Sequence, residues 1–179
     1  MSLYRQPPED AYVLCVDEMG PTSAKTYVAS RWGEKRPHVE PDYGRRGKVW
    51  TFGAFEPVTG QALTGCYERR TSANFVSFLE QVTDTWIGKS IYIILDNLST
   101  HKTLDVLLWA LAHPQVKFLF QPTYAPWLNL IEPWWKTLRS LALKGRCFQV
   151  ADEIIQAIQW ATAYWNQHKK PFVWRKVFT

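Results

Sequence analysis

The sequence predicts an α/β domain in which a mixed five-stranded sheet carries helices on both faces. Short apolar runs rich in β-branched and aromatic residues follow one another through turns at 11–16, 26–32, 49–55 and 61–67 and supply three or four leading strands. From residue 71 the apolar period switches to the helical one, and helical stretches then alternate with two more apolar runs, 91–95 and 116–120. Hairpin turns make the first strands antiparallel and helical crossovers make the later ones parallel. A sheet fed in both ways needs a layer of helices on each face.

The elements follow in order. Residues 1–10 are polar, contain Pro7 and Pro8, and form an N-terminal tail. The run 11–16 is a buried strand ending at Asp17 and Glu18, and Gly20-Pro21 is expected to turn the chain. A strand at 26–32 leads into a polar loop at 33–48 that contains Pro37, Pro41, Gly44 and Gly47. Strands 49–55 and 61–67 pair through the turn Glu56-Pro57-Val58-Thr59-Gly60. Thr71 or Ser72 caps a helix with Phe75, Phe78, Leu79, Val82 and Trp86 on one face. The strand 91–95 ends at Asp96, and Ser99 or Thr100 caps a helix running through Leu104, Leu107, Leu108 and Leu111 to its stop at His113-Pro114. After the strand 116–120 and a proline-containing connection, a helix runs from about 130 to 144, closed by Gly145. A last helix at about 150–168 turns Ile154, Ile155, Ile158, Ala161 and Trp165 inward.

The chain has 179 residues, room for one domain at 11–179. With 46% apolar and 21% charged residues it has the balance of a soluble globular protein. A net charge of +5 permits a polyanionic partner without requiring one. The ten tryptophans fill a core or stack on bases, and composition does not choose between these. Cys15, Cys66 and Cys147 are odd in number and far apart, which excludes a disulfide framework and fits a reducing interior. His38, His101, His113 and His168 lack zinc-ligand spacing. No signal peptide is present, and no apolar run approaches the roughly 20 residues that span a bilayer, so no membrane is expected.

Three carboxylates carry the chemistry. Asp17 and Asp96 stand at the C-terminal tips of two expected strands, where sites form in sheets of this class, and Glu132 opens a later helix. Carboxylates that converge repel one another unless a cation sits among them, and an all-oxygen set suits Mg²⁺ or Mn²⁺. Two such ions, roughly 3.5–4 Å apart, can clamp the attacking and leaving oxygens of a phosphodiester. Each residue also has a plainer reading. Asp17 serves as a strand-end turn residue, Asp96 belongs to the turn Asp96-Asn97, and Glu132 forms a capping box with Asn129. Against that box, Pro133 would lack the N–H needed there, so the helix should begin slightly later and leave Glu132 pointing at the site. Lys136 and Arg139, four and seven residues on, share the face of Glu132, whereas Ile131, Trp134, Trp135, Leu138, Leu141 and Ala142 form the core stripe.

The stretches Leu95-Asp96-Asn97-Leu98-Ser99-Thr100-His101-Lys102 and 122–135, with Asn129-Leu130-Ile131-Glu132-Pro133-Trp134-Trp135 at its end, resemble DDE transposases. The match is best with the bacterial insertion-sequence branch of the Tc/mariner superfamily. Val16-Asp17-Glu18 is similar to that family's first acidic motif, and 35 residues separate Asp96 from Glu132, close to the family spacing. The resemblance extends from about Tyr12 to Trp165. It implies an RNase H-like fold and two Mg²⁺ or Mn²⁺ ions held by the catalytic residues Asp17, Asp96 and Glu132. It further implies hydrolysis at transposon ends, then attack of the freed 3′-hydroxyl on target DNA. Asn97, His101 and Asn129 would support the ligands or position substrate, and His101 serves equally well as a structural helix-start residue. A homodimer on DNA and a bacterial, nucleoid-associated cytoplasmic location are implied in the same way. Ala125 stands where family members commonly carry Ser, and Leu130 where they commonly carry Pro. The N-terminal helix-turn-helix region of full-length relatives is absent, which suggests an isolated catalytic domain, a remnant, or a split-gene product with a separate helix-turn-helix partner.

The DNA-binding candidates are Arg45, Arg46 and Lys48 in the loop before a strand, with Lys136 and Arg139 beside Glu132. Arg69-Arg70 and the basic residues from Lys144 onward read as solvated surface or as a salt-dependent DNA track. Trp127 packs in the core or wedges against a base. The rival functions are a domesticated DNA-binding domain without activity and a nuclease that cuts without joining.

Overall fold

The computed structural model describes residues 2–25, 46–122 and 129–172. Among the described residues five strands form one sheet: β1 (Ala11–Ser23), β2 (Lys48–Phe55), β3 (Ala62–Tyr67), β4 (Ser90–Leu95) and β5 (Val116–Phe120). Their order is β3-β2-β1-β4-β5. β1–β2 and β2–β3 pair antiparallel, β1–β4 and β4–β5 parallel. The mixed five-stranded sheet expected from the sequence is therefore present, with the long β1 at its centre.

Helices α2 (Ser72–Thr85) and α3 (Leu104–Ala112) cover one face, and α4 (Glu132–Leu138) and α5 (Ala151–Gln167) the other. Alternation along β1 divides the core. Leu14 and Val16 pack with the phenylalanines of α2, whereas Cys15 and Met19 pack with the tryptophans of α4. Thr71 caps α2, its hydroxyl accepting from the Asn74 N–H at 3.2 Å. The apolar row of that helix is buried as its spacing predicts, each large side chain contributing about 1.5–3 kcal/mol.

A glycine admits the helix on each face. At Gly65 a Cβ would meet the Phe78 ring of α2 at 2.8 Å. At Gly53 it would meet the Trp135 ring at 2.3 Å and Ile131 at 3.2 Å. Trp135 thus seats α4 on the strand beside β1.

The structure departs from or adds to the expected elements at β1, α3 and α4. β1 does not stop before Asp17. It continues to Ser23 because β2 pairs with it on past Glu18, with a register irregularity between Met19 and Thr22 that absorbs Gly20-Pro21. The leucine row of α3 faces outward, Leu104 and Leu111 being 69% and 80% exposed, and Val106 and Trp109 hold the helix down instead. A short 3-10 turn, Ser99–Lys102, precedes α3, which begins after Thr103. The helix expected at 130–144 begins at Glu132, after Ile131, and passes into a π turn (Arg139–Leu143) closed by the Lys144 N–H donating to the Arg139 carbonyl at 2.8 Å.

Residues 2–5 form a short helix, α1 (Ser2–Arg5), and Tyr4 packs on the core with its hydroxyl 3.2 Å from Cys15 Sγ. The expected strand at 26–32, Arg45 and Trp127 lie outside the described residues. No helix among the described residues is long and apolar enough to cross a membrane.

Candidate active site

The register of the sheet brings the first two carboxylates together. Cys15 stands opposite Ile94 in the parallel β1–β4 pair, so two residues further along both chains Asp17 comes opposite Asp96, just beyond the end of β4. On its other side Asp17 pairs with Gly53, the residue under Trp135. Paired residues of adjacent strands point to the same face, so Asp17 points toward α4. Glu132 is the first residue of that helix, exposed, with Ile131, Trp134 and Trp135 buried around it. The cap residue of α4 is Ile131, which makes no side-chain cap bond, and the reciprocal Asn129–Glu132 bonds of a capping box are not found among the described residues. Asn129 instead donates from Nδ2 to the Val16 carbonyl at 3.4 Å, and its Oδ1 accepts from the Ile131 N–H at 3.4 Å. It ties the start of α4 to β1 one residue before Asp17.

The electrostatics register this convergence. Burial pushes the Asp17 carboxyl up to about 7; the Glu18 N–H, donating to Oδ1 at 2.8 Å, opposes this, and the charges of Glu18, Asp96 and Glu132 add to it. Asp96 is more open, its side chain 48% exposed, and its Oδ1 accepts from the Leu98 N–H at 3.0 Å. Among the described residues no three His, Cys, Asp or Glu side chains close into a ready-made metal cage. The donor set is nevertheless the one a hard cation requires, all oxygen and anionic. Mg²⁺ in particular takes one or two carboxylates and completes its shell with water and phosphate oxygens.

Asn97 lies beside Asp96 and bridges outward, donating from Nδ2 to the Gln121 carbonyl and accepting from Lys102 Nζ at 2.6 Å. It joins the ends of β4 and β5. His101 is buried, 1% exposed, with its ring against Phe75 at 4.5 Å between centroids. Its Nδ1 lies 3.1 Å from Asp96 Oδ1 and its Nε2 3.4 Å from Glu18 Oε2. Burial disfavours the imidazolium, but the nearby carboxylates of Glu18, then Asp96, outweigh that and raise its pKa. Glu18 in turn accepts from Arg70 Nη1 at 2.9 Å.

Sequence reasoning passed over Glu18 and Arg70 as members of the site. A signal was present: Glu18 has the same strand parity as Leu14 and Val16, so it had to lie on a buried face and find a partner there.

The expected DNA-contacting residues fall in two places. Lys136 and Arg139 are exposed on the side of α4 that begins with Glu132, and with Lys25 and Lys144 they line a groove of about 680 Å³ whose other wall is β1 beyond Asp17. Lys48 lines a separate groove with Trp50, Arg69 and Arg70. Arg46, nearby and exposed, donates to Gln149 Oε1.

Residues 12–155 match the family described as DDE superfamily endonuclease. The "Insertion element IS630 uncharacterized 39 kDa protein" of Shigella sonnei is 31% identical over 107 residues, 59% of this chain and 31% of that protein. The match thus spans about a third of that curated relative's length. Among solved structures, the HTLV-2 integrase catalytic core domain in complex with magnesium, in its dimeric form, superposes with a TM-score of 0.56 at 14% identity, covering 89% of this chain and 88% of the other. Its trimeric form gives 0.56 at 14%, covering 89% and 86%. Identity that low speaks to fold alone, and the fold is that of integrase cores, RNase H-like. The chain belongs to the DDE superfamily endonucleases.

Proposed function

We propose that Asp17, Asp96 and Glu132 form the catalytic centre of a DNA transposase, which cuts phosphodiesters at transposon ends and joins the freed 3′-hydroxyl to target DNA. One observation carries this reading: Asp17 on β1 stands beside the end of β4, which Asp96 follows, on the face covered by the helix that begins at Glu132, and it feels the charge of both other acids. A structural role would have spaced such like charges apart.

Divalent cations, Mg²⁺ or Mn²⁺ and two per site, would be held by these three carboxylates and would supply charge neutralisation and an activated nucleophile at the scissile phosphate. The protein's own work is positional. β1 and β4 hold Asp17 and Asp96 side by side, and Trp135 on Gly53 holds α4, with Glu132, against β2. Asn129 pins the entry of α4 to the Val16 carbonyl, and Asn97 fixes the chain after Asp96 to the end of β5. Lys136 and Arg139 would track the DNA backbone away from the cut, without reading its sequence. Arg46 and Lys48 would contact a more distant stretch of DNA, as would Arg45.

A homodimer on DNA would bring two ends together, and a helix-turn-helix protein or region would select them. Such a protein works in the bacterial cytoplasm at the nucleoid. The magnesium in the HTLV-2 integrase core is consistent with the cation assignment.

The test is Mg²⁺-dependent nicking of duplex DNA by Asp96→Asn. Loss of nicking with unchanged circular dichroism and melting supports the assignment, and undiminished nicking overturns it. Strand transfer from pre-cut ends then separates a transposase from a nuclease that only cuts.

A further inference from the structure

Resting on that reading of the site, we propose that Glu18 is a positioning residue that acts through His101 on Asp96, with Arg70 locking its far end. Glu18 is next to Asp17 in sequence but belongs to the other face of the sheet, and its side chain is only 7% exposed. A carboxylate so buried persists only with charged or hydrogen-bonding partners. One oxygen, Oε1, takes the Arg70 guanidinium at 2.9 Å. The other, Oε2, faces His101 Nε2 at 3.4 Å, an ion-pair contact rather than a hydrogen bond. Arg70 is itself steadied over the Trp50 ring at 5.0 Å.

The imidazole transmits this to the site. Its ring is clamped by Phe75, so its two nitrogens point in fixed directions. Nδ1 lies 3.1 Å from Asp96 Oδ1 and 3.5 Å from the Asp96 carbonyl oxygen. With the Leu98 N–H at 3.0 Å on the same Oδ1, one oxygen of Asp96 is gripped from two sides and the carboxylate loses its freedom to rotate. Charges alternate along the line: Arg70 positive, Glu18 negative, His101 in the middle, Asp96 negative. Partners of this kind, one layer behind a ligand, typically change metal affinity or activity by about 10–100-fold. Of the two adjacent acids in Asp17-Glu18, one therefore meets the substrate side and the other braces a different ligand.

The experiment uses Glu18→Gln, His101→Gln, the double variant and Arg70→Lys, with Asp84→Asn on the exposed part of α2 as a charge control. Mn²⁺ binding is measured by titration calorimetry, and kcat and KM of nicking are measured alongside. Glu18→Gln and His101→Gln should each weaken Mn²⁺ binding and lower kcat by about 10–100-fold with KM for DNA unchanged. The double variant should lose no more than the worse single one, because both break one line, and Arg70→Lys should retain most activity. Additive losses would mean that Glu18 acts on Asp17 by charge alone and would overturn the proposal, as would wild-type Mn²⁺ affinity in Glu18→Gln. Failure of the parent reading looks different: Asp96→Asn would then nick and bind Mn²⁺ as the wild type does.

Discussion

Asp17 and Glu18 are neighbours with the same chemistry, and the sheet sends them to opposite faces. On the α4 face Asp17 meets Asp96 and Glu132 beside an exposed cationic groove, and no basic partner is found for it among the described residues. On the α2 face Glu18 is enclosed by Arg70 and His101. The two faces are otherwise built alike, each seating aromatic side chains of a helix on a glycine of the sheet. Packing is thus shared between the faces, while charge compensation is not. The acid left uncompensated by protein is the one proposed to take a cation, and its neighbour shows how a carboxylate is held when protein groups supply the compensation.

The largest expected effect comes from removing the aromatic anchor on each face. Trp135→Ala and Phe78→Ala should each cost about 3–5 kcal/mol in urea denaturation. They should differ in activity. At temperatures where both variants remain folded, Trp135→Ala should lose nicking because α4 and Glu132 drift from Asp17, whereas Phe78→Ala should keep most of it. Equal activity in the two would mean that the seating of α4 does not govern the site.

A second difference between the faces is visible in pH. Burial and like charge raise Asp17 from 3.8 to about 7 in the folded protein. A carboxyl raised on folding contributes stability that is present below its unfolded value, near 3.8, and is lost as pH climbs through about 7. In metal-free protein, Asp17→Asn should therefore match the wild type near pH 4 and exceed it at pH 8 by a margin on the order of 2–4 kcal/mol. Chemical denaturation across that range in EDTA measures the margin. Nicking should be abolished at every pH, so that stability rises as function is lost. A constant margin across the range would show that Asp17 is not strained in the folded state.

Much of this was legible before any coordinates. The strands, the α2 face and the fold class followed from pattern, because β2 and β4 are short apolar runs buried along most of their length and the buried row of α2 recurs at helical spacing. The three acids were read as a set because each opens or follows an expected element, although Asp17 lies within β1. The length of β1 was not: Gly20-Pro21 is a turn signal by local preference, and only pairing with β2 overrides it. The role of Glu18 was readable from parity, but its partners Arg70 and His101 are 52 and 83 residues away along the chain, beyond any local pattern.

The smallest expected effect concerns a pattern that misleads. Leu104, Leu107, Leu108 and Leu111 recur at the spacing of a core stripe, yet α3 presents them outward and is held by Val106 and Trp109, the latter donating from Nε1 to Glu80 at 2.6 Å. Period alone cannot say which of two faces is covered when a helix is apolar nearly all round. Leu108, 56% exposed, gives the measure of this. Leu108→Lys should change stability by no more than about 0.5 kcal/mol, the range of ordinary surface substitutions. A core leucine truncated to alanine would cost about 2–5 kcal/mol. Thermal melts of that variant beside Val106→Ala, where a loss of about 1–3 kcal/mol is expected, would show whether α3 turns its leucines to solvent. A loss at Leu108 as large as that at Val106 would mean that the stripe is covered after all.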